Sequence, residues 1–260
     1  MNLRDIIFSF FTGFVVQSIN SYLIVAAIYL TVWVWGKTVF QSRKIQERKR
    51  VNLQQIITEM KNAVFTFAMG SLTAIFVFYA HDKGYTRITS DASSIGWVFI
   101  VLTFLGMVVL NDLWFYSWHR FLHTPWFFRK IHSIHHKSID VNPFTMHSFH
   151  PLEAFILSCW VIPFVFIVPT YQPVIILLQI VGFVENLISH LGYEFYPGWF
   201  NRIYPFKWLT TSTYHNVHHT HFTGNYALHF RWWDKLLGTE VPEYEFIFAS
   251  LPRQSNKKSE

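Results

Sequence analysis

The chain has 260 residues, of which 52% are hydrophobic and only 14% are charged. A soluble domain usually carries about 25% charged residues, so this composition excludes an ordinary water-soluble protein and favours apolar surface facing lipid. The net charge of +6 would also suit a nucleic-acid binder. The basic residues flank apolar runs, however, which indicates that the positive charge sets the orientation of the chain in a membrane and does not bind nucleic acid. Because Cys159 is the only cysteine, an internal disulfide and a cysteine-rich metal site are excluded.

The first apolar run, 6–35, is longer than the core of a signal peptide. No clear small-residue cleavage site follows it, so we expect no cleavable signal. Polar residues between Gln17 and Ser21 interrupt the run. It is therefore either one tilted helix or an interfacial stretch that leads into a helix.

Four further apolar runs follow, and about 20 apolar residues suffice to span a bilayer as a helix. These runs are 62–80, 95–118, 152–169 and 171–190. Only Pro169, Thr170 and their neighbours separate the last two, which predicts a tight helical hairpin.

The distribution of basic residues predicts the orientation. The stretch 37–61 carries seven lysines and arginines against two glutamates, whereas 81–94 carries two residues of each sign. The positive-inside rule places 37–61 in the cytoplasm. Counting helices from there puts 119–150 and everything after 190 on the same side.

These features predict an all-α fold, namely a polytopic membrane helical bundle of four to five transmembrane helices with a cytoplasmic histidine-rich helical cap. We expect one integrated domain with three regions. They are N-terminal membrane helices with a basic cytoplasmic loop in 1–94, a region that carries the chemistry in 95–245, and a polar tail in 246–260. Lys257 and Lys258 resemble a dilysine retrieval signal of endoplasmic-reticulum membrane proteins, and a solvated charged tail is an equally good interpretation.

Histidines dominate the second half of the chain, because only His81 of the 14 lies before the first cluster. The clusters are His119 and His123; His132, His135 and His136; and His215, His218 and His219. Spacings of three and four residues bring side chains to one face of a helix, and imidazole is the commonest transition-metal ligand. Three such clusters predict a site that holds more than one metal ion.

Further histidines lie between the clusters, and we add His147, His150 and His190 to the candidate metal ligands. Eleven candidates are too many for one zinc ion, which takes three or four ligands, and about right for two ions. Imidazole suits iron, copper and zinc alike, so the spacing does not choose the metal. His221 could orient a ligand or serve as a reserve ligand. We interpret His81 and His229 as ordinary polar residues.

Four polar residues are candidates for orienting the ligands: Asp112, Glu185, Asn186 and Asp234. Asp112 lies seven residues before His119 on the same helical face. A carboxylate near the membrane boundary needs a partner, which is either a ligating imidazole or an arginine at the helix end. Glu185 is ionisable within an apolar run, which marks either a functional residue or a buried hydrogen bond between helices. Asn186 lies one helical turn before His190.

These motifs resemble the fatty acid hydroxylase and sterol desaturase superfamily, whose pattern is H-x-x-x-H, H-x-x-H-H and a later H-x-x-H-H between hairpin membrane helices. The resemblance runs from about Asn111 to Thr239. Four stretches carry it beyond the histidines: D-L-W-F-Y-S-W-H-R-F-L-H from Asp112 to His123, P-F-T-M-H-S-F-H-P-L-E from Pro143 to Glu153, G-N-Y ending at Tyr226, and W-D-K-L-L-G-T from Trp233 to Thr239. The second stretch looks especially like sterol desaturases.

The resemblance implies a non-haem di-iron oxygenase that uses two Fe²⁺ ions, O₂ as co-substrate and external electrons to hydroxylate or desaturate a lipid C–H bond. The eight histidines of the three clusters would form its catalytic core. A sterol intermediate is the first expectation for the substrate, and a fatty acyl or sphingoid chain is the second. The electron donor would be a b-type cytochrome with its reductase, or a ferredoxin. The basic residues Arg129, Lys130 and Lys137 would suit such an acidic carrier.

Three other functions compete with this one. A metal transporter would place its ligands near the bilayer midplane, whereas these clusters fall at helix ends. A zinc-dependent membrane hydrolase would need fewer ligands, and the chain has no H-E-x-x-H motif. A catalytically inactive scaffold would not need intact clusters. The expected location is the endoplasmic-reticulum membrane in a eukaryote, or the inner membrane in a bacterium, with the histidine site on the cytoplasmic face.

Overall fold

The computed structural model describes residues 2–46 and 51–251, which fold into a helical bundle. In chain order the α-helices are α1 (Leu3–Tyr29), α2 (Leu53–Asp82), α3 (Trp97–Leu122), α4 (Pro125–Phe127), α5 (Ser133–His136), α6 (Pro151–Ser158), α7 (Val161–Ile167), α8 (Gln172–Ser189), α9 (Ser212–His221), α10 (Trp232–Leu236) and α11 (Tyr244–Ser250). Two π-helical turns (Leu30–Trp35 and Phe128–His132) and three 3₁₀ turns (Gln41–Arg43, Pro143–His147 and Phe206–Trp208) complete the helices.

Four helices of the described chain are long and apolar enough to cross a membrane. They are Leu3–Trp35, which is α1 continued by its π-helical turn, and α2, α3 and α8. Their outward-facing apolar residues are largely exposed, as expected for surfaces that contact lipid. The predicted all-α bundle with membrane-spanning helices is therefore confirmed. The exception is a two-residue parallel strand pair, β1 (Ile88–Thr89) with β2 (Thr170–Tyr171).

The first apolar run is one continuous helix, which decides between the two alternatives left by the sequence. Asn2 caps its start by accepting a hydrogen bond from the N–H of Asp5. The polar interruption faces α2, where Gln17 lies beside Gly70 and the Tyr22 hydroxyl donates to the carbonyl of Met60 at 2.7 Å. The Ser18 hydroxyl donates to the carbonyl of Phe14 within α1 at 2.7 Å, so it is satisfied without a break in the helix.

The second helix begins at Leu53, nine residues before the predicted apolar run. Asn52 caps it by accepting from the N–H of Gln55. Glu59, counted with the loop charges in the sequence, is 1% exposed. Its carboxylate accepts hydrogen bonds from four side chains at 2.6–2.9 Å, namely Gln55, Ser138, Asn142 and Thr145. The prediction of a loop across 53–61 is therefore wrong, because buried partners from the later chain extend the helix beyond its apolar part.

The predicted fourth membrane run consists of two short helices, α6 and α7, within Pro151–Ile167. At 17 residues this segment is shorter than the other spans. Its far end is joined to the loop after α2, because the N–H of Arg87 donates to the carbonyl of Val165 at 2.8 Å and β1 pairs with β2. The chain then returns as α8, so α6, α7 and α8 form the predicted hairpin.

The helices α1, α3 and α8 finish, and α2 and α6 begin, at the same end of the bundle. We call it the histidine end. The basic stretch 37–61 contacts the histidine end, because the N–H of Ile45 donates to the carbonyl of Gly192 at 3.2 Å. At the core of the bundle, Val77, Met107, Val165 and Leu178 pack together from α2, α3, α7 and α8.

The chain after α8 forms a cap over the histidine end. Within it Phe248 of α11 is 1% exposed and packs with Tyr214 and Tyr244. The predicted polar tail from 246 is thus wrong for its first residues, because α11 continues to Ser250 and buries an aromatic side chain. The dilysine pair Lys257 and Lys258 lies outside the described residues.

Candidate metal centre

Nine imidazoles converge at the histidine end in two groups, and within each group the ligand atoms lie within 4.8 Å of one another. The first group is His119, His123, His132, His136 and His218, and the second is His135, His190, His215 and His219. All are buried except His123, which is half-buried. The structure thus brings together nine of the eleven histidines that the sequence proposed as ligands.

Each H-x-x-H-H motif supplies both groups. Neighbouring residues on a helix point about 100° apart. His135 and His136 therefore reach different groups, and so do His218 and His219 on α9. The two groups are adjacent, since the ring centroids of His136 and His219 lie 4.6 Å apart. Each copy of the motif therefore contributes side chains to both groups and holds them next to each other.

In the first group the Nε2 atoms meet around His136. Its Nε2 lies 3.2 Å from that of His123, 3.0 Å from that of His132 and 3.1 Å from that of His218. In the second group the Nε2 of His219 lies 3.1 Å from those of His135 and His215.

These separations fit metal coordination. A metal–nitrogen bond of about 2.1 Å places neighbouring ligand atoms about 3.0 Å apart at right angles and about 3.4 Å apart in a tetrahedron. In the second group the Nε2 of His190 lies 3.0 Å from that of His215 and 3.4 Å from that of His135. Both groups therefore have the spacing of ligands around a single ion.

The opposite ring nitrogens show which way the protons face. The Nδ1 atoms of His119, His190, His218 and His219 lie 2.7–3.0 Å from the backbone carbonyls of Tyr226, Asn186, Gly224 and Ser138, respectively. A carbonyl only accepts, so each Nδ1 carries the proton and each Nε2 presents a lone pair. Lone pairs about 3 Å apart repel one another unless a cation lies between them. The donor set therefore fits two metal ions, and these carbonyls orient the rings.

Seven of the nine imidazoles are held neutral by their surroundings. Burial lowers the pKa of His123 to about 2 and the pKa of His190 to about 4. Burial, followed by the neighbouring imidazoles, also lowers the pKa of five further histidines of the two groups well below its ordinary value: His135, His136, His215, His218 and His219. Neutral imidazole is the form that binds metal.

A cavity of about 180 Å³ lies beside both groups. We call it the inner cavity. Its lining includes His119 and His132 from the first group and His135, His190 and His215 from the second. The rest of the lining is mixed: apolar side chains, among them Phe115, Phe149, Leu157 and Leu228, alternate with polar ones such as Asn111, Asn186 and Thr210. An apolar molecule in this cavity would therefore touch the edges of both groups.

His147 and His150 lie outside both groups. The His147 ring packs against Phe67 and Phe183, and burial lowers its pKa to about 3. The Nδ1 of His150 accepts from the N–H of Leu152 and so caps α6. Their role as ligands stays a prediction from the sequence.

Asp112 does not contact a ligating imidazole. Its carboxylate accepts three backbone N–H groups, from Leu228, His229 and Phe230, at 2.7–3.1 Å. Asp112 thus fastens the segment after α9 to α3, and the carbonyl of Tyr226 that orients His119 lies just before that segment.

Glu185 and Asn186 both lie near the end of α8. Glu185 forms an ion pair with His229, whose Nε2 lies 2.9 Å from Oδ1 of Asn111. Burial lowers the pKa of His229, but the hydrogen bond and charge of Glu185 outweigh it and raise the pKa above its ordinary value. Both ring nitrogens of His229 thus face oxygen atoms that accept hydrogen bonds, an arrangement that favours the protonated ring. The Asn186 side chain donates to the carbonyl of Met146 at 2.9 Å, so only its backbone carbonyl orients His190.

Asp234 does not contact a candidate ligand directly but holds a residue that does. Its carboxylate accepts from the N–H groups of Tyr226 and Ala227 and from the hydroxyls of Tyr214 and Thr239, at 2.6–3.0 Å. It thereby holds Tyr226, whose carbonyl meets His119. His221 is exposed at the end of α9 and belongs to neither group.

Two carboxylates that help to position the candidate ligands were not predicted from the sequence. Oε1 of Glu153 lies 2.6 Å from Nδ1 of His132, and both residues are 1% exposed. Glu59 accepts from the hydroxyl of Ser138, whose carbonyl orients His219. Glu153 ends a stretch that resembles sterol desaturases, which was a usable signal. Little in the local sequence pointed to Glu59, because three of its four partners come from the chain between 138 and 145.

Comparison with known proteins identifies the family. A family model described as fatty acid hydroxylase matches residues 104–239, slightly more than half of the chain. The chain belongs to the fatty acid hydroxylase family. All nine converging histidines fall within the matched range, so the part of the chain shared with the fatty acid hydroxylase family is the part that builds the two groups.

Several curated relatives are similar. A Delta(7)-sterol 5(6)-desaturase of Gibberella zeae is 24% identical over 80% of this chain and 64% of its own. Methylsterol monooxygenase 1 of Rattus norvegicus is 34% identical over 63% of this chain and 54% of its own. Lathosterol oxidase of Rattus norvegicus is 28% identical over 71% of this chain and 61% of its own. The chain thus spans about half to two thirds of the length of these relatives. No solved structure matches it.

Proposed function

We propose that this protein is an integral-membrane di-iron oxygenase that uses O₂ and electrons from a partner to hydroxylate or desaturate a lipid C–H bond. One observation supports it above the others: two adjacent groups of five and four imidazoles turn Nε2 lone pairs inward, at separations that suit a metal ion in each. Removal of hydrogen from an unactivated C–H bond is beyond acid–base catalysis. Bound iron would supply the oxidising power.

The protein's own residues would hold and shield the reaction. The five- and four-membered groups would each hold one Fe²⁺ ion. The apolar side chains that line part of the inner cavity, among them Phe115, Phe149 and Leu157, would limit the entry of water and admit the part of the lipid to be oxidised. At about 180 Å³ this cavity is smaller than a typical ligand pocket of about 300–1,000 Å³, so only part of the lipid would enter it.

A sterol intermediate is the substrate class that we propose first, because the relatives above are named as sterol or methylsterol enzymes. A fatty acyl or sphingoid chain is the second candidate, in keeping with the description of the family model. Hydroxylation and desaturation would use the same ligand cage.

The competing functions suit the geometry less well. A transporter would hold its ions at the bilayer midplane, whereas both groups lie at the histidine end. A zinc hydrolase needs three protein ligands and an open position, whereas the first group alone offers five. We further propose that the histidine end faces the cytoplasm, in agreement with the positive charge of 37–61. The membrane would be that of the endoplasmic reticulum in a eukaryote, or the inner membrane in a bacterium.

The function is tested by purifying the protein without O₂, measuring its metals by mass spectrometry, and supplying O₂, a chemical reductant and candidate lipids. We expect two iron ions per chain and O₂ consumption that rises when the correct lipid is present, with a hydroxylated or desaturated product. Fewer than two metal ions per chain at full activity would contradict the proposal. So would hydrolysis of a lipid by a zinc-loaded protein.

The electron donor is a separate prediction. Arg129 and Lys130 are exposed at the histidine end, and an acidic carrier such as a b-type cytochrome or a ferredoxin would dock there through charge complementarity. Replacing both with Glu is expected to raise the KM for the carrier about tenfold and to weaken its salt dependence, without changing turnover driven by a chemical reductant.

Lys83→Glu is the control, because Lys83 is also exposed but lies at the opposite end of the bundle. Steady-state kinetics at several carrier and salt concentrations would measure the effect. An unchanged KM in the double variant would rule out docking at Arg129 and Lys130.

A further inference from the structure

The proposed reaction consumes protons at a buried place. Hydroxylation puts one oxygen atom of O₂ on the lipid carbon and releases the other as water, whereas desaturation releases both as water. With two electrons from the partner, either reaction takes up two protons per turnover. The inner cavity lies beside metal groups whose imidazoles are nearly all buried. Protons therefore need a route from the surface of the protein to the inner cavity.

Among the described residues that line the inner cavity, few can carry a proton. Five are imidazoles whose Nε2 atoms turn toward the metal groups. The other ionisable side chain in this lining is Glu153, which is 1% exposed and bonded to His132. Glu153 is thus closed off from the surface. The route must therefore begin with residues behind the lining.

His229 is a buried imidazole that lies behind the inner cavity and belongs to neither metal group. Its Nε2 lies 2.9 Å from Oδ1 of Asn111, a residue of the cavity lining. Its Nδ1 forms the ion pair with Glu185, whose side chain is 33% exposed. Glu185, His229 and Asn111 thus form an unbroken series of hydrogen bonds from the surface to the wall of the inner cavity.

Glu185 lies where α8 approaches the cap. It precedes Ser189, the last residue of α8, by four positions, which is about 6 Å along the helix axis. Its charge reaches the cap, because burial and then the charges of Glu194 and Glu185 raise the pKa of Tyr196. The polar headgroup layer on each side of a bilayer is about 5–7 Å thick. Glu185 is therefore at a depth where it exchanges protons with interfacial water.

The charged groups around His229 favour a ring that carries a proton. Glu185 faces it from α8 and Asp112 from α3, and both are acidic. Arg231, two residues later, pairs with Glu240 instead. Burial alone would lower the pKa of His229, but the hydrogen bond and charge of Glu185 and the charge of Asp112 raise it above its ordinary value. A proton donor is therefore stored one side chain away from the inner cavity.

We propose that Glu185, His229 and Asn111 form a proton path to the inner cavity. This inference rests on the proposed oxygenase function and adds a proton supply to it. His229 gives the proton on Nε2 to a water molecule in the inner cavity as the Asn111 carboxamide turns aside. The neutral ring then turns over, so that its remaining N–H faces the cavity and its free nitrogen takes a proton from the Glu185 carboxyl group. Glu185 regains a proton from water at the surface, and two such passages supply one turnover.

His229→Gln tests the proton path, because glutamine can bond to both neighbours but cannot carry a proton. We expect turnover with lipid, O₂ and a chemical reductant to fall at least about tenfold, while both metal ions stay bound. The solvent deuterium isotope effect on turnover should rise, because proton delivery becomes the slow step. His81→Gln is the control, since His81 is exposed at the opposite end of α2 from the metal groups. Unchanged turnover in His229→Gln, or a loss without a change in the isotope effect, would overturn the proposal.

A second measurement needs no turnover. Zinc suits imidazole ligands and is not redox-active, so the zinc-loaded full chain with ¹⁵N-labelled histidines can be titrated by NMR. The signal that His229→Gln removes belongs to His229. It should lose its proton at a pH above the ordinary imidazole pKa in the wild type, and at a lower pH in Glu185→Gln, because the charge that stabilises the protonated ring is gone.

The pH profile of turnover should follow the same titration. Activity depends on a protonated His229, so it should decline as the pH rises through the raised pKa, and Glu185→Gln should move that decline to lower pH. Glu243→Gln is the matched control, because Glu243 is exposed and lies outside the metal centre. A pH profile that Glu185→Gln leaves in place, or a His229 signal that does not shift in Glu185→Gln, would refute the proton path.

The proposed function and the proton path fail with different results. If the wild-type protein oxidises a lipid, and His229→Gln and Glu185→Gln do so at the same rate and with the same pH profile, the function is retained and the path is refuted. If the iron-loaded wild-type protein oxidises no lipid, the function is refuted and the path with it.

Discussion

Alanine at His218 or at His215 is expected to leave one metal ion per chain where the wild-type protein holds two. His218 belongs to the first group and His215 to the second, so each variant should empty a different site. Because even residues that only orient a ligand contribute about 10- to 100-fold to metal affinity or activity, turnover should fall at least about 100-fold in both. Metal analysis by mass spectrometry, alongside O₂ consumption, measures the two effects.

His221→Ala is the matched control, because His221 lies on the same helix but is exposed and belongs to neither group. It should keep both metal ions. The two-ion interpretation fails if His221→Ala loses as much metal as the other variants. It also fails if His215→Ala and His218→Ala lose the same metal ion, so that both variants empty one site and keep the other.

Glu153→Ala is expected to lower the affinity of the first group for its metal about 10- to 100-fold, although Glu153 belongs to neither group of candidate ligands. Its Oε1 accepts from Nδ1 of His132 at 2.6 Å, which fixes the ring and makes Nε2 a stronger donor. Glu153→Gln keeps an oxygen that can accept the same hydrogen bond but removes the charge, so its affinity should lie between those of the wild type and the alanine variant.

Titration with a competing chelator would measure these affinities. Glu243→Gln serves as the control, because Glu243 is exposed and lies outside the metal centre. Wild-type affinity in Glu153→Ala would show that the carboxylate does not support His132. A loss confined to the second group would show that it acts elsewhere.

The membrane helices could be predicted well from the sequence, because apolar length is a local property. The apolar runs 95–118 and 171–190 correspond to α3 and α8, with ends that differ by a few residues. The start of α2 could not be predicted, because Glu59 is stabilised by Ser138, which lies 79 positions away. The convergence of the histidines was also largely predictable, since nine of the eleven candidate ligands come together in the two groups.

The sequence by itself determined the apolar spans and the residue type and helical spacing of the ligands, because hydropathy and periodicity depend on neighbours within a few positions. Only the tertiary structure decided that His135 and His136 serve different groups, and that His147 and His150 lie outside both. It also decided which atoms orient the rings. The carbonyl that meets His119 comes from a residue 107 positions later, and Glu153 meets His132 from 21 positions away. Contacts over such distances arise from packing, and local sequence patterns do not encode them.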